Sequence, residues 1–311
     1  MRIFRCASFR YKVSMLAYAD QNFIINCANN RDWRKAVTLA RDRDRATLVL
    51  SPWHFYEIGT ISEARMEELV QVVEEFRPAW ILDRSDLQLR ECIHAWQTFW
   101  GEKVDDFKPI GTLAEVAAIL LRSNPKQLAD FALRDYVRVF QRSAGAAQLL
   151  SVLDHQRVIS AENRVSYKNG KITTRIETAI EQRFVAQMLA RREEKGPSKS
   201  ELDRRTNELL TTQPIATKIA IFIEWGGTAD IKTYKVEAEL TSRHFETDAV
   251  LNVNRQIDRQ HAAVALPYCD CFVTSDNELL RRCEAVRERL AFRIATVQTG
   301  GDFVHSLAVG S

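Results

Sequence analysis

The sequence predicts an α/β fold in which helices cover both faces of a mostly parallel sheet. Near both ends of the 311-residue chain, short apolar runs of strand length alternate with segments of helical periodicity. Parallel strands need crossover connections, usually helices, so this alternation is typical of such a fold. A long middle region of different character separates the two alternating parts.

Three strands are predicted in the first alternating part, each a short apolar run. They cover residues 11–20, 46–50 and 79–82. The first strand ends at Asp20, and a helix is predicted directly after it at 21–29. The first strand and the first helix therefore meet at an acidic residue.

Helix-start patterns follow the second strand. Ser51 and Pro52 are typical of an N-cap and of the first helical position, and this helix is expected to end near Gly59. Next, Thr60-Ile-Ser-Glu63 is a capping-box pattern that predicts a further helix from Thr60. Pro78 ends that helix before the third strand.

The middle region, about 101–244, is predicted to be a mainly helical insertion. A second capping box, Thr112-x-x-Glu115, opens it, and Asn169-Gly170 predicts a hairpin turn. Between 168 and 205 there are ten Lys or Arg residues and six Asp or Glu residues, so this segment is locally basic. The excess charge fits either a contact with phosphates or an ordinary solvated helix face. The predicted helices of this region are 112–123, 126–153, 175–195 and 200–211.

The last part of the chain returns to alternation. A helix is predicted at 254–266 and a strand at 271–274. The pattern Ser275-x-x-Glu278 predicts an N-cap for a helix that runs to about residue 290, and 292–297 are predicted to form a last strand. These elements complete the parallel sheet begun in the first part.

Composition excludes several classes of protein. With 46% hydrophobic and 27% charged residues, the chain has the balance of a folded globular protein. No apolar run approaches the roughly 18 residues of a membrane span, and we expect no signal peptide. Six cysteines without a CxxC pair predict reduced thiols and a cytoplasmic location. The six histidines show neither HxxxH nor HxH spacing, so a histidine-rich metal site is not expected.

Four acids occupy similar positions relative to the predicted strands. Asp20 and Asp276 lie just after strands, and Glu57 lies about one turn into the helix after the second strand. Asp258 lies near the start of a helix. Ligands of open parallel sheets bind outside the carboxyl ends of the strands, so we expect these side chains to converge. Crowded carboxylates repel one another unless a cation is present, and Mg²⁺ and Mn²⁺ prefer oxygen ligands.

Each acid also has an ordinary explanation. Asp20 and Asp276 have the position of helix caps, while Glu57 and Asp258 have the pattern of surface residues. Asp83 follows the third predicted strand in the same way, which shows that position alone is weak evidence. The metal-site prediction therefore depends on the four acids taken together.

Three stretches carry a resemblance to a known family. They are Tyr18-Ala-Asp-Gln-Asn22, Leu50-Ser-Pro-Trp-His-Phe-Tyr-Glu57 and the segment from Asp258 to Asp276, DRQHAAVALPYCDCFVTSD. They resemble the PIN-domain ribonucleases, a Rossmann-like α/β/α group that cleaves RNA with divalent metal ions. Asp20 matches the leading Asp of that family, and Ser51 with Glu57 matches its Ser followed by a helical Glu. Asp258 matches its third acid, which is followed by a small-residue helix and by Thr-x-Asp at the end of a strand, here Thr274 to Asp276. It covers about 12–100 and 245–311 but not the insertion.

The resemblance implies a three-layer α/β/α sandwich with a PIN-like nuclease core, 12–100 and 245–311, interrupted by the insertion at 101–244. It implies that one or two Mg²⁺ or Mn²⁺ ions bind to the residues that also carry out catalysis: Asp20, Glu57, Asp258 and Asp276. Supporting positions around the metal are implied for Asn22, Ser51, Asp270, Thr274 and Ser275. Among these, Thr274 and Ser275 would orient Asp276 or a bound water, and Asn22 would position the phosphate.

The expected activity is metal-dependent endoribonuclease cleavage of RNA, with Arg191 and Arg192 as candidate RNA contacts and an inhibitory protein as a possible partner. Two alternatives stay open: a catalytically silent PIN-like interaction module and a structure-specific DNA nuclease. A P-loop NTPase is disfavoured because no GxxxxGK[ST] motif occurs. A dinucleotide-dependent oxidoreductase is disfavoured because no glycine-rich turn follows the first strand.

Overall fold

The computed structural model of the protein describes residues 14–101, 104, 107–121, 124–128, 130–142, 221–246 and 253–309. The strands of this part are β1 (Met15–Ala19), β2 (Ala46–Leu50), β3 (Ala79–Ile81), β4 (Ile110–Gly111), β5 (Cys271–Val273) and β6 (Thr296–Gln298). The helices before residue 143 are α1 (Gln21–Asn29), α2 (Arg31–Asp42), α3 (Trp53–Gly59), α4 (Glu63–Phe76), α5 (Arg84–Phe99), α6 (Leu113–Leu121), α7 (Pro125–Leu128) and α8 (Leu133–Arg142). The later helices are α9 (Lys232–Glu246), α10 (Val253–Tyr268), α11 (Asn277–Arg289) and α12 (Gly300–Val309), and a 3₁₀ helix covers Gly227–Asp230.

The strands form one sheet in the order β4-β3-β2-β1-β5-β6. Every neighbouring pair is parallel except β3 and β4, which are antiparallel. The expectation of an α/β fold with a mostly parallel sheet is confirmed, and the arrangement is compatible with a Rossmann-like sandwich. From β1 the chain moves outward to β2 and β3, and it later returns to the other side of β1 to form β5 and β6. The strand order therefore reverses between β1 and β5, where ligands bind in open α/β sheets.

Strand β1 is central because it pairs with both halves of the sheet. Its residues Ala17, Tyr18 and Ala19 are fully buried. In the parallel register, Ala17 lies opposite Cys271 and Ala19 opposite Val273. A strand buried on both faces must be apolar throughout, which explains the run of hydrophobic residues that made β1 recognisable in the sequence.

Two groups of helices pack against the sheet. Helices α1, α2, α4 and α12 contact one another, and α5, α9, α10 and α11 form a second set of contacts. On one side of β1 the chain proceeds from β1 to β2 and β3, and on the other side it proceeds from β5 to β6, in the opposite direction across the sheet. Because crossovers between parallel strands are right-handed, these two directions place the connecting helices on opposite faces. None of the helices in the described residues has both the length and the apolar character needed to cross a membrane.

Both described ends of the predicted insertion contribute to the main hydrophobic core. Strand β4 pairs with β3 at the edge of the sheet. Val116 on α6 and Val137 on α8 belong to the same buried cluster as Phe55 and Trp80. Helix α9 packs along α10 and α11. The predicted hairpin and the helices at 175–195 and 200–211 lie outside the described residues.

The start of α4 differs from the prediction. The helix begins at Glu63 with Ser62 as its N-cap, so the proposed capping box from Thr60 is wrong. The Thr60 hydroxyl instead donates to the carbonyl of Glu57 at 2.9 Å, at the end of α3. Thr and Ser are both good N-cap residues, and two of them lie within three positions here, so the pattern alone did not select the right one.

Helix α11 shows the same ambiguity. Its N-cap is Asp276, not the predicted Ser275. The other capping box is confirmed, since Thr112 and Glu115 exchange hydrogen bonds between side chain and main chain at the start of α6.

Two predicted element ranges also change. The helix predicted at 126–153 is interrupted, because α7 ends at Leu128 and α8 begins at Leu133, and residues 143–153 lie outside the described part. The last strand covers 296–298 rather than 292–297, and the unpredicted helix α12 follows it.

A buried carboxyl group joins three helices away from the sheet edge. Glu91 on α5 is 4% exposed and accepts hydrogen bonds from the backbone N–H of Thr233 on α9, at 3.1 Å, and from the hydroxyl of Tyr268 on α10. Burial raises the pKa of Glu91 to about 7, although these hydrogen bonds act to lower it. The charged form of this side chain is therefore disfavoured in the native state.

The pH dependence of stability should report this carboxyl group. Because its folded-state pKa is raised from 4.5 to about 7, the native protein binds the proton more tightly than the unfolded chain, and the free energy of unfolding falls as pH rises through this window. We expect the E91Q variant to reduce that fall, by on the order of 3 kcal/mol between pH 4.5 and 8. Urea unfolding across this range measures it. The exposed-site control E74Q should keep the wild-type slope, and an unchanged slope in E91Q would contradict the assignment.

Candidate active site

Two acids follow the paired strands at the point where the strand order reverses. Asp20 follows β1 directly and is the N-cap of α1. Asp276 lies just beyond β5 and is the N-cap of α11. Because β1 and β5 are parallel neighbours, their carboxyl ends lie side by side, and the backbone N–H of Asp20 donates to the carbonyl of Val273 at 3.0 Å. Both acids therefore lie at the same edge of the sheet.

The Asp20 carboxylate is buried and held on both oxygens. It is 4% exposed. Oδ1 accepts from the backbone N–H of Phe23 at 2.8 Å, and Oδ2 accepts from the Thr274 hydroxyl at 2.6 Å. Burial raises the pKa of Asp20, while the two hydrogen bonds and the nearby His261 act in the opposite direction. The protein supplies donors that partly offset the desolvation of this charge.

Thr274 connects the two acids. It is fully buried, and its hydroxyl both donates to Asp20 and accepts from the backbone N–H of Asp276 at 3.1 Å. The Asp276 carboxylate accepts the backbone N–H groups of Glu278 and Leu279 at 2.7 and 3.0 Å, both on Oδ1. Capping of α11 therefore engages only one of the two Asp276 oxygens.

Glu57 reaches the site from α3. It is half-buried, and its Oε2 accepts from Nε2 of His261 on α10 at 2.9 Å. The other ring nitrogen of His261, Nδ1, is hydrogen-bonded to the hydroxyl of Tyr18, which is 2.7 Å from the hydroxyl of Ser51. A buried chain of polar groups thus runs from the end of β2 to the Glu57 carboxylate.

Asp258 completes the group of acids. It lies three residues before His261 on α10, so the two side chains share a helix face. The pKa of Asp258 is raised to about 7, chiefly by burial, with the charges of Asp276, Glu57 and Asp20 acting in the same direction and His261 acting against them. The charges of the other three acids all act on the pKa of Asp258, which is consistent with the four carboxylates facing one region.

Two buried histidines that the sequence did not single out lie behind these acids. His54, Glu57 and His261 have ligand-type atoms within 4.8 Å of one another, an arrangement that can hold a metal ion. In His54, Nε2 donates to the carbonyl of Ala19 at 2.9 Å, which leaves Nδ1 of the neutral ring to accept from the backbone N–H of Ser51 at 3.1 Å. Burial lowers the pKa of His54 to about 4, which favours this neutral form. Because the main chain engages both of its nitrogens, His54 supports the loop rather than binding a metal.

Sequence spacing could not reveal this pair of histidines. His54 and His261 come from helices α3 and α10 in different halves of the chain, yet their ring centroids lie 4.7 Å apart. The sequence did contain one indication of these histidines: His54 lies three positions before Glu57, and His261 lies three positions after Asp258. Such spacing is also common on ordinary helix faces.

The remaining residues predicted for the site divide into three groups. Ser51 is fully buried behind the carboxylates, and Asn22 is exposed on α1. Ser275 is exposed and accepts from Nδ2 of Asn26 at 3.1 Å. Arg191 and Arg192 lie outside the described residues.

The structure corrects the placement of Asp270 beside the metal site. Asp270 precedes β5, so it lies at the amino end of the strand, whereas Thr274 lies at its carboxyl end. Four residues of extended chain span about 13 Å. The Asp270 carboxylate accepts from the backbone N–H of Leu16 at 2.9 Å and from Arg293. It therefore holds the start of β1 and takes no part in the cluster.

The donor set fits a hard divalent cation. Within the described part of the chain, hydrogen bonds reach only one oxygen of Glu57 and one of Asp276. Oxygen atoms from four acids meet the preference of Mg²⁺ and Mn²⁺, and a cation would relieve their mutual repulsion. No family model, no curated protein and no solved structure matches this chain. Support for a function therefore comes from the site itself and from the resemblance in sequence.

Loss of the Thr274 hydroxyl should loosen the connection between the two strand ends. In the T274V variant, Oδ2 of Asp20 loses its donor and the backbone N–H of Asp276 loses its acceptor. We expect the free energy of unfolding to fall by about 1–3 kcal/mol, measured by urea denaturation. The same change at Thr296, T296V, removes a solvent-exposed hydrogen bond to the carbonyl of Asp270, so it should have a smaller effect, below about 1 kcal/mol. Equal effects of the two variants would contradict a special role for Thr274.

Divalent metal should stabilise the folded protein. At 100 times its Kd, a ligand that binds only the native state adds about 2.7 kcal/mol to the free energy of unfolding, so millimolar Mn²⁺ should raise Tm. The shift should be lost in D276N and D258N, measured by calorimetry with EDTA as reference. D270N, at the other end of the sheet, should keep the wild-type shift. A wild-type Tm that does not respond to Mn²⁺ would exclude the metal site.

Proposed function

We propose that this chain is a PIN-like, metal-dependent endoribonuclease that hydrolyses RNA phosphodiester bonds with one or two Mg²⁺ or Mn²⁺ ions. One observation carries the proposal: four acids from separate parts of the chain converge at the carboxyl edge of the sheet, where the strand order reverses. Three of these carboxylates act to raise the pKa of the fourth, Asp258, and the backbone hydrogen bond between the ends of β1 and β5 places Asp20 near Asp276, which supports that convergence.

The ions would be held by Asp20, Glu57, Asp258 and Asp276. Bound there, a divalent cation supplies activation of a water nucleophile and stabilisation of charge on the leaving oxygen. The protein fixes two of these carboxylates without any substrate. The Thr274 hydroxyl and a backbone N–H in the first turn of α1 donate to Asp20, and a backbone N–H in the first turn of α11 donates to Asp276. Such preorganisation keeps a carboxylate in one orientation during the reaction.

The choice of RNA as substrate is supported by the resemblance to the PIN-domain ribonucleases. Positive charge next to the cluster is also consistent with a polyanionic substrate. Arg255 on α10 and Arg282 on α11 both pair with Glu278, two positions after Asp276. The basic segment 168–205, with Arg191 and Arg192, is proposed to extend the contact.

Location and partners stay predictions. The described cysteines, Cys27, Cys92, Cys269, Cys271 and Cys283, are all free thiols, as expected for the cytoplasm. An inhibitory partner protein is proposed only because members of the resembled family often have one.

Cleavage of single-stranded RNA tests the proposed activity. The wild-type chain should cut a labelled RNA with Mn²⁺ or Mg²⁺ and stop in EDTA. The D276N variant should lose at least about 100-fold in rate, since loss of even an outer partner of a metal ligand costs 10–100-fold. D270N serves as the matched Asp→Asn control and should cleave like the wild type once its stability is accounted for.

The alternatives predict different results in the same assay. Cleavage of flap or single-stranded DNA with intact RNA would indicate a DNA nuclease. Intact RNA and DNA under every metal condition, in a protein whose Tm still responds to Mn²⁺, would indicate a silent interaction module.

A further inference from the structure

The buried imidazole of His261 lies in the middle of the candidate site. We infer that His261 is a positioning residue, which fixes the Glu57 carboxylate for metal binding through a hydrogen bond from Nε2 and is itself held by Tyr18 and Ser51. The inference rests on the proposed metal site and adds to it a residue that acts through Glu57.

Glu57 needs such a partner because of its place in the fold. It lies on the short helix α3, and its side chain is 21% exposed. A glutamate side chain has several rotatable bonds, so fixing it in one rotamer costs conformational entropy. The contact from Nε2 of His261 to Oε2 at 2.9 Å fixes the carboxylate and leaves Oε1 for another ligand. A carboxylate oxygen only accepts hydrogen bonds, so Nε2 carries the proton in this contact.

The ring of His261 is fixed by its own surroundings. It is 1% exposed, and Nδ1 is hydrogen-bonded to the hydroxyl of Tyr18. Tyr18 is fully buried in the central strand, and its hydroxyl meets the hydroxyl of Ser51 at 2.7 Å. The rings of His54 and Tyr18 lie 4.7 and 5.6 Å from the ring of His261, centroid to centroid, and restrict its rotation. The hydrogen bond to Glu57 therefore comes from a rigid donor attached to the sheet.

Neither a direct ligand role nor a general-base role fits this arrangement. Nε2 faces Glu57 and Nδ1 faces Tyr18, so a metal on either nitrogen would have to displace an existing partner. Burial also keeps the ring away from any substrate that enters from solvent. The remaining role is that of an outer partner of a metal-binding carboxylate, and loss of such a partner typically reduces metal affinity or activity 10–100-fold.

Two amide substitutions separate the two hydrogen bonds of His261. The side-chain nitrogen of Gln reaches the position of Nε2, whereas that of Asn reaches only the position of Nδ1. H261Q therefore keeps a donor to Glu57, and H261N keeps a partner for Tyr18 but loses Glu57. Both variants are neutral, so they change the charge equally. We expect H261N to weaken Mn²⁺ binding 10–100-fold by isothermal titration calorimetry on the full chain, and H261Q to stay within about 3-fold of the wild type.

A double-mutant cycle shows whether His261 acts through Glu57. If it does, adding H261N to an E57A variant should change the Kd for Mn²⁺ by less than about 2-fold, because Ala has no side-chain oxygen to accept from His261 and the contact is already lost. Exposed His305 on α12 provides the control, and H305N should bind Mn²⁺ like the wild type.

Different results overturn different claims. Equal Kd values for Mn²⁺ in H261N and H261Q would overturn the positioning role while leaving the metal site in place. A 10–100-fold weakening by H261N on the E57A background would do the same. Failure of the wild-type chain to bind Mn²⁺ would overturn the proposed metal site and this role with it.

Discussion

Repulsion among like charges is the constraint on which the site depends. Four carboxylates share a partly buried region, and each must be stabilised by hydrogen bonds, by a neighbouring cation or by protonation. The fold supplies donors to Asp20 and Asp276 from the first turns of α1 and α11. Helix N-termini carry partial positive charge. The hydrogen bonds by which Asp20 and Asp276 cap these helices therefore also stabilise the charge of the two carboxylates. Asp258 lies inside α10 rather than at its N-terminus, and its pKa is raised to about 7, chiefly by burial.

Topology brings these acids together. Because the chain leaves β1 in one direction and later returns to its other side, the helices after β1 and after β5 begin next to each other. Asp83 shows what the same local pattern does elsewhere. It also follows a strand and caps a helix, but its oxygens accept from Ser85 and from the indole N–H of Trp53 at 3.0 Å each. An acid at a strand end thus acts as a cap and a packing contact away from the β1–β5 pair.

A layer of buried polar groups stabilises the site from behind. His54 bridges the carbonyl of Ala19 and the N–H of Ser51, which joins the carboxyl ends of β1 and β2. Tyr18 and Ser51 continue this layer to His261 and so to Glu57. Most buried polar groups in proteins are hydrogen-bonded, and in this layer both histidines use both ring nitrogens. The same interactions that satisfy these groups also fix the geometry of the acids.

The sequence by itself located the strands of the parallel sheet, the starts of α1 and α6, and the four candidate acids. These signals are local: apolar runs, prolines and capping residues act within a few positions of the chain. Only the tertiary structure decided which acids meet. It separated Asp270 from the cluster by the length of β5, and it brought His54 and His261 together from different halves of the chain. Contacts between side chains far apart in the chain depend on the order of strands in the sheet and on helix packing. The spacing of residues within one segment does not determine either of these.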